Sequence, residues 1–258
     1  MPVLARSGGD ISYQVTGTGG PPLLLTHGYG ATSAMFRQNL AAASARNLVV
    51  TWDIRGHGDS ESPPEPDSYS ADAALADMAA LLAELGVSRA VLGGHSLGGY
   101  LSLDFALRHP DQVAGLVLIG TGPGFRNDAA RDDWNRRAHK TAARLEERGL
   151  EALGSSSELH GQHRDADGLA RAARHTLTQR DSHVIDGLAG IGVPALVIVG
   201  AEDAPFQAAA EYMAAKLPRA RKVVIPAAGH APNVDQPEQF NAELREFLDE
   251  VAATEDAP

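Results

Sequence analysis

The stretch Ala90-Val91-Leu92-Gly93-Gly94-His95-Ser96-Leu97-Gly98 joins an apolar run to a segment with helical periodicity. The apolar run predicts a buried strand, and Leu97 to Arg108 predicts a helix. Ser96 lies between them, with Gly94 two residues before it and Gly98 two residues after it, where larger side chains would clash across a tight turn. A serine hydroxyl is a weak nucleophile, so it must be held exposed on such a turn within reach of a base. The pattern therefore indicates a nucleophilic serine.

Later apolar runs lead into the residue types that such a serine needs. Leu116 to Ile119, Ala195 to Val199 and Lys222 to Pro226 each predict a strand. Glu202 and Asp203 lie just past the second of these runs, and His230 follows the third. A histidine can take the serine proton and return it to the leaving group, and an acid can hold that histidine in the correct tautomer.

Two further motifs lie upstream of the serine. Leu23 to Thr26 predicts a strand that runs into His27-Gly28-Tyr29-Gly30, and Leu48 to Trp52 leads into Asp53-Ile54-Arg55-Gly56-His57-Gly58. The complete set, in the order serine, acid, histidine, resembles the α/β-hydrolase family. The resemblance extends from about residue 10 to about residue 252 and has five motifs in the family's order.

The resemblance implies a role for each site residue. Ser96 would be the nucleophile and His230 the base, and the family pattern Gly-x-x-Asp selects Asp203 rather than Glu202 as the acid. The oxyanion hole would be formed by the backbone N–H groups of Leu97 and Tyr29. The same resemblance implies that the loop from Asp53 to Gly58 is chiefly structural, with its Asp and Arg bonding local backbone. His27 and His95 would pack or bond loops rather than act as the base.

Strand and helix patterns alternate along the chain, which predicts an α/β fold: a doubly wound, mostly parallel sheet of about eight strands with helices on both faces. Asp10 to Val15 predicts an antiparallel edge strand, and Ser70 to Leu85 a helix. The last helix is expected to start at an acidic N-cap, Asp235. By resemblance, residues 1–124 and 187–258 form the core, and residues 125–186 form an inserted helical cap.

The cap segment is rich in charge, with 11 basic and 11 acidic residues, so the whole net charge of −11 lies on the rest of the chain. The simpler interpretation is a solvated helical surface whose charges pair at i,i+4. The alternative is that an arginine faces inward and holds an anionic substrate group, with these candidates: Arg126, Arg131, Arg136 and Arg137. The candidate pocket walls are these aromatic residues: Tyr29, Phe125, Trp134 and Phe206. His160 and His163 are close in sequence but lack a metal-ligand spacing, so no metal is expected.

A serine at the nucleophile position argues against haloalkane dehalogenases and epoxide hydrolases, which use an aspartate there in this fold. The expected activity is therefore cleavage of a small carboxylic ester through an acyl-enzyme, without a cofactor. Four alternatives stay open: a lactone or enol-lactone hydrolase, a carbon–carbon bond hydrolase, a cofactor-free haloperoxidase or perhydrolase, and a non-catalytic ligand-binding member. Carbon–carbon hydrolases usually have a longer glycine-rich run than Gly30-Ala31-Thr32, and haloperoxidases usually have proline in place of Gly30.

The composition of the chain limits the kinds of molecule that it is expected to bind. The 258 residues include no cysteine, which excludes disulfides and thiolate metal sites, and a charge of −11 argues against nucleic acid and anionic membranes. No apolar run is long enough for a membrane span, and the first residues lack a secretory signal, so a cytoplasmic location and a small-molecule substrate are expected. Nothing in the sequence sets the oligomeric state.

Overall fold

The computed structural model describes residues 2–156, 159 and 161–255. Within these ranges eight strands form a single sheet in the order β1-β2-β4-β3-β5-β6-β7-β8. The strands are β1 (Val3–Leu4), β2 (Ile11–Thr16), β3 (Leu23–Thr26), β4 (Val49–Trp52), β5 (Ala90–His95), β6 (Val113–Ile119), β7 (Ala195–Gly200) and β8 (Ala220–Ile225). Strands β1 and β2 pair antiparallel, and β3 to β8 run parallel. The predicted α/β class and mostly parallel sheet are confirmed.

Helices cover both faces of this sheet. They are α1 (Arg37–Ala43), α2 (Ala71–Glu84), α3 (Leu97–Arg108), α4 (Asp128–Arg148), α5 (Ala166–His175), α6 (His183–Gly187), α7 (Ala204–Lys216), α8 (Pro232–Asp235) and α9 (Pro237–Glu255). Side chains of α2, α3 and α7 form one buried cluster with the sheet, and side chains of α1 and α9 form another on the opposite face.

The central strands supply both clusters because successive side chains of a strand point to opposite faces. In β6, Leu116 and Leu118 belong to the first cluster, whereas Val117 and Ile119 belong to the second. All four are fully buried. A parallel sheet covered on both faces therefore reads in sequence as the continuous apolar runs from which these strands were predicted.

The ends of the chain differ from the sequence prediction in two places. Val3–Leu4 forms an unpredicted strand that pairs with β2, so β2 is not the edge of the sheet. Asp235, the expected N-cap of the last helix, is instead the final residue of α8, and α9 begins at Pro237. The Asp235 carboxylate accepts a hydrogen bond from the Gly229 N–H at 2.9 Å. It therefore stabilises the loop before His230.

The segment 125–186 contains a small core of its own. Helices α4 and α5 pack through Ala142, Leu145, Leu169 and Ala173, all buried, with Tyr29 of the β3 loop packed against them. Helix α6 differs, because its Val184 is buried in the cluster that α2 and α3 share with the sheet. Among the described residues, no helix combines the length and the apolar character required to cross a bilayer.

Candidate active site

Three loops at the carboxyl edge of the sheet carry the polar residues singled out in the sequence. Ser96 follows β5 directly, Asp203 lies three residues after β7, and His230 lies five residues after β8. Only β6 stands between β5 and β7 in the sheet, and β8 is adjacent to β7. Because parallel strands end at the same edge, residues separated by more than a hundred positions converge there.

Ser96 occupies a strained turn. Its φ of 49° and ψ of −111° lie in a region that residues with a side chain rarely adopt, at a cost of about 1–3 kcal/mol. Two bonds hold the turn: the Ser96 N–H donates to Ile119 O at 2.9 Å, and Thr121 Oγ1 donates to Ser96 O at 2.6 Å. Helix α3 begins at Leu97, whose N–H therefore has no acceptor within the helix.

The two glycines of the motif allow the turn to pack tightly. A Cβ atom at Gly94 would overlap the backbone of Gly98, and a Cβ atom at Gly98 would overlap the Thr26 carbonyl. Both obstacles are main-chain atoms of buried elements, which cannot move aside as a flexible side chain would. The spacing of glycine around Ser96 is therefore a packing requirement.

We expect Gly98→Ala to destabilise the protein by about 3 kcal/mol or more, because the new methyl group overpacks against β3. Urea unfolding followed by circular dichroism measures the loss. Gly190→Ala is the matched control, since nothing lies within 4 Å of a Cβ atom there, and it is expected to leave the unfolding midpoint unchanged. Equal midpoints for the two variants would contradict this account of the turn.

His230 is held in a defined tautomer by a carboxylate. Its Nδ1 lies 2.9 Å from Oδ2 of Asp203, so Nδ1–H donates to the carboxylate and Nε2 keeps its lone pair. Asp203 is buried with 5% of its surface exposed, whereas Glu202 is exposed. The structure thus pairs His230 with Asp203, the acid that the family pattern selects.

A second histidine fixes the backbone of His230. His95 is buried, and its Nε2–H donates to the carbonyl oxygen of His230 at 3.0 Å. The two rings meet edge to face with centroids 4.7 Å apart. Burial holds the pKa of His95 well below its usual value, and its buried Nδ1 has no hydrogen-bond partner among the described residues. His95 is therefore neutral and serves as a positioning residue for His230.

A cavity of about 310 Å³ opens beside Ser96. Ser96 and Leu97 line it together with three of the predicted wall residues, Phe125, Trp134 and Phe206. The ring of Phe206 also lies 4.6 Å from that of His230, so the histidine adjoins the same space. A larger cavity of about 420 Å³ beside Thr32 and Asp53 contains none of the three polar residues. The smaller cavity is the candidate substrate pocket.

Tyr29, the fourth predicted wall residue, points its side chain elsewhere. Its hydroxyl donates to Leu169 O of α5 at 3.0 Å, and burial raises the pKa of the phenol. Its backbone belongs to the loop after β3 and follows Gly28 directly. A Cβ atom at Gly28 would meet the imidazole ring of His95 and the side chain of Ser96. The Tyr29 main chain, unlike its side chain, is therefore near the serine.

The loop from Asp53 to Gly58 is structural in its contacts. Asp53 accepts hydrogen bonds from the backbone N–H groups of Ser33 at 2.7 Å and Asp59 at 2.9 Å. Arg55 departs from the local pairing that the resemblance implied, because it forms a buried, two-bond ion pair with Asp77 of α2 at 2.7 and 2.8 Å. The loop is anchored to a helix on one face of the sheet.

His57 of this loop contacts His27 and His163, and the three neutral rings meet tilted or edge to face. The ring centroids of His27 and His57 are 5.0 Å apart, and those of His57 and His163 are 5.9 Å apart. Burial lowers the pKa of His27 to about 3 and holds that of His57 well below its usual value. It also lowers the pKa of His163.

His163 accepts from the Gly58 N–H at 3.1 Å and donates to Gly30 O at 2.9 Å, so segment 125–186 is tied to two core loops. His160 lies outside the described residues.

Three of the four candidate arginines form ion pairs. Arg126 pairs with Asp186 at 2.6 Å, Arg131 pairs with Asp128 at 2.6 Å, and Arg136 pairs with Asp133. The last two pairs have i,i+3 spacing rather than the expected i,i+4. Arg137 differs, because it lines the cavity beside Ser96.

Two supporting residues were missed in the sequence. Thr121 donates a hydrogen bond to the Ser96 carbonyl oxygen, and Asp235 accepts one from the Gly229 N–H just before His230. Thr121 lies two residues after β6, so the rule that loops at strand ends build the site could have found it. Asp235 carries a helix-cap signature that pointed to a different role.

Comparisons with known proteins identify the family of this chain. Residues 23–243 match the alpha/beta hydrolase family. An esterase from Thermogutta terrifontis, solved with malate bound, is 30% identical over 97% of both chains with a TM-score of 0.80. The enol-lactonase from Burkholderia xenovorans is 25% identical over 96% of this chain and all of its own, with a TM-score of 0.77. The pimeloyl-[acyl-carrier protein] methyl ester esterase of Aeromonas hydrophila is 28% identical over 89% of this chain and 96% of its own. With its motifs in the family's order on the family's sheet, this chain belongs to the alpha/beta hydrolase family.

Proposed function

We propose that the protein is a serine hydrolase that cleaves small carboxylic esters through an acyl-enzyme. The observation that carries the proposal is the 2.9 Å bond between His230 Nδ1 and Asp203 Oδ2, because it leaves Nε2 as the basic nitrogen. His230 packs on Phe206, which lines the same cavity as Ser96. A base, a partly exposed nucleophile and a pocket of small-molecule size thus border the same cavity.

The reaction proceeds in two halves. Oγ of Ser96 attacks the ester carbonyl carbon while Nε2 of His230 takes its proton, and Asp203 stabilises the resulting imidazolium. The tetrahedral intermediate collapses, the alcohol leaves with the proton from Nε2, and the acyl group stays on Oγ. Water then attacks the acyl group, with His230 again as base, and releases the acid and free Ser96.

The oxyanion of each tetrahedral intermediate needs two main-chain donors. The Leu97 N–H is suited to this role because it begins α3, at the positive end of the helix dipole. The Tyr29 N–H is the second donor, supplied by the loop beside His95 and Ser96. Both donors are main-chain groups, so neither depends on its own side chain. We also propose that residues 125–186 form the cap that closes this pocket, because Phe125 and Trp134 line it.

Lactone hydrolysis is the second candidate. Ring opening uses the same nucleophile, base and oxyanion donors, and the leaving hydroxyl stays attached to the acyl group. The similarity to an enol-lactonase over nearly the whole chain favours it over the remaining alternatives. A proline-bearing loop of the haloperoxidase type does not fit here, because Gly30 takes a φ of 75° that the proline ring forbids.

A fluorophosphonate probe tests the central claim. We expect it to label Ser96 alone, because the probe mimics the acyl carbonyl and needs an activated serine. Peptide mass spectrometry locates the label, and p-nitrophenyl acetate turnover is expected to disappear with the same stoichiometry. Ser44→Ala, at the end of α1 on the other side of the sheet, is the control and is expected to label normally. A label on another serine, or no label, would contradict the proposal. A separate panel of esters and lactones, compared by kcat/KM, decides between the two candidate activities.

A further inference from the structure

The substrate cavity contains one charged side chain among the described residues. Arg137 lines it, and no aspartate or glutamate does. The remaining walls are mostly aromatic, aliphatic or small, including Phe125, Trp134 and Phe206. A lone cation in such a cavity attracts an anionic group locally, although the protein as a whole carries a charge of −11.

Arg137 has no carboxylate partner among the described residues, unlike the three other candidate arginines. Arg126, Arg131 and Arg136 are each paired with an aspartate. No ion pair or hydrogen bond joins Arg137 to any described residue. No acid lies three residues from Arg137 along α4, because Trp134 and Lys140 hold those positions, and Asp133, four residues before it, pairs with Arg136. Arg137 is exposed to solvent and lines the open side of the cavity.

The position of Arg137 on α4 explains why it reaches the cavity. Trp134 and Arg137 are three residues apart and therefore share a face of the helix. Trp134 is fixed by its Nε1–H, which donates to Leu177 O at 2.9 Å, and its ring packs 5.9 Å from that of Phe125. The face that carries the pocket tryptophan thus carries the arginine as well, with its aliphatic stem beside an apolar wall.

A neutral polar group of the same cavity is also unsatisfied. Gln179 lines the cavity, and its Oε1 is buried without a hydrogen bond from the described residues. Its backbone is clamped to α4, because its N–H donates to Asn135 Oδ1 and its carbonyl accepts from Asn135 Nδ2, both at 2.9 Å. This Oε1 can only accept a hydrogen bond, so it calls for a donor group from a ligand or a water and does not itself contact a carboxylate.

We infer that Arg137 binds a carboxylate of the substrate and that the preferred substrates are small esters carrying a free carboxylate away from the scissile bond. This inference rests on the proposed ester cleavage at Ser96. The cavity of about 310 Å³ is at the small end of ligand pockets, which suits a short acyl chain between ester and carboxylate. Guanidinium binds carboxylate with two parallel N–H···O bonds, which gives both affinity and orientation.

Monomethyl adipate and methyl hexanoate test the inference, because they have equal chain length and differ in the terminal carboxylate. We expect at least a tenfold higher kcat/KM for the adipate, as a charge-assisted hydrogen bond gives factors of roughly ten to a hundred. The preference should shrink with added salt, since the contact lies near the surface. Arg137→Gln should bring the ratio of the two esters close to one, and Arg137→Lys should keep part of it.

Arg136→Gln is the matched control, because Arg136 is the adjacent arginine and is paired with Asp133 outside the cavity. It is expected to preserve the ratio. Binding of both esters to Ser96→Ala, measured by calorimetry, decides the role of Arg137 even without turnover. Equal affinities, or a preference that survives Arg137→Gln, would overturn the inference and leave the proposed function standing. If Arg137→Gln abolishes the difference in affinity between the two esters while the fluorophosphonate does not label Ser96, the carboxylate site is supported and ester cleavage is overturned instead.

Discussion

Ser96→Ala is expected to lower kcat for p-nitrophenyl acetate by a factor of about 10⁶, to the level left by the pocket and the oxyanion donors alone. The reason is that no other group replaces the nucleophile. His230→Ala should lose about as much, because nucleophile and base act as a unit and their losses do not add. The double variant Ser96→Ala/His230→Ala is therefore expected to match either single variant. Stopped-flow and steady-state assays at saturating ester measure these rates.

The acid of the set has a smaller but distinct effect. Asp203→Asn should lower kcat by a factor on the order of 10⁴, because an asparagine side chain can donate to Nδ1 and so stabilise the wrong tautomer of His230. Glu202→Gln is the matched control: it is the adjacent acid, it is exposed, and it should keep full activity. Near-normal turnover by Ser96→Ala would refute the nucleophile. If Asp203→Asn kept full activity and Glu202→Gln lost it, the acid would be Glu202 rather than Asp203.

Acid is expected to unfold this protein within about two pH units below 6.5, the pKa of an unfolded histidine, through histidines that are buried neutral. His27, His57 and His95 are fully buried, with the pKa of His27 lowered to about 3 and the other two pKa values well below 6.5. Protonation of these rings is opposed by their contacts as well as by burial. His27 Nε2 accepts from the Ile54 N–H, and the described part of the chain offers no acceptor for a new proton on His57 Nε2 or His95 Nδ1.

The direction of the effect follows from proton binding. Below the unfolded value of 6.5, the unfolded chain binds protons that the folded protein does not, so the free energy of unfolding falls as pH falls. Each histidine contributes up to about 1.4 kcal/mol per pH unit in this window, and three contribute about 4 kcal/mol per unit. For a domain stabilised by about 5–15 kcal/mol, that slope removes most of the stability by roughly pH 4.5.

Urea unfolding at several pH values between about 7.5 and 5.5 measures this slope. His57→Asn should reduce it by about a third, because the amide can keep the bond to Arg55 O while one titrating ring is removed. His183→Asn, at a histidine with half of its side chain exposed, is the control and should leave the slope unchanged. A free energy of unfolding that is the same at both ends of the range would show that these rings take up protons in the folded state.

Local sequence was enough for the frame of the site. The apolar runs predicted the parallel strands, and the glycines around Ser96 predicted the turn. The obstacle at Gly94 is local, since a Cβ atom there would meet Gly98, whereas the obstacle at Gly98 is Thr26 of β3, which only the fold brings close. Resemblance then supplied the order of Ser96, Asp203 and His230. The edge strand Val3–Leu4 was missed because two residues carry no periodicity.

Tertiary structure alone decided which side chains meet. His95 bonds a carbonyl 135 residues away, and His163 reaches back 133 residues to Gly30, so their positioning roles have no local signature. The four candidate arginines of segment 125–186 are alike in sequence, yet only the packing of α4 places Arg137 on the pocket side. What the sequence by itself determined was the set of strands, the serine turn and the order of the polar residues. Contacts between distant residues depend on the register and packing of the whole sheet, and these selected the neutral histidines, the partner of His230 and the place of Arg137 beside the pocket.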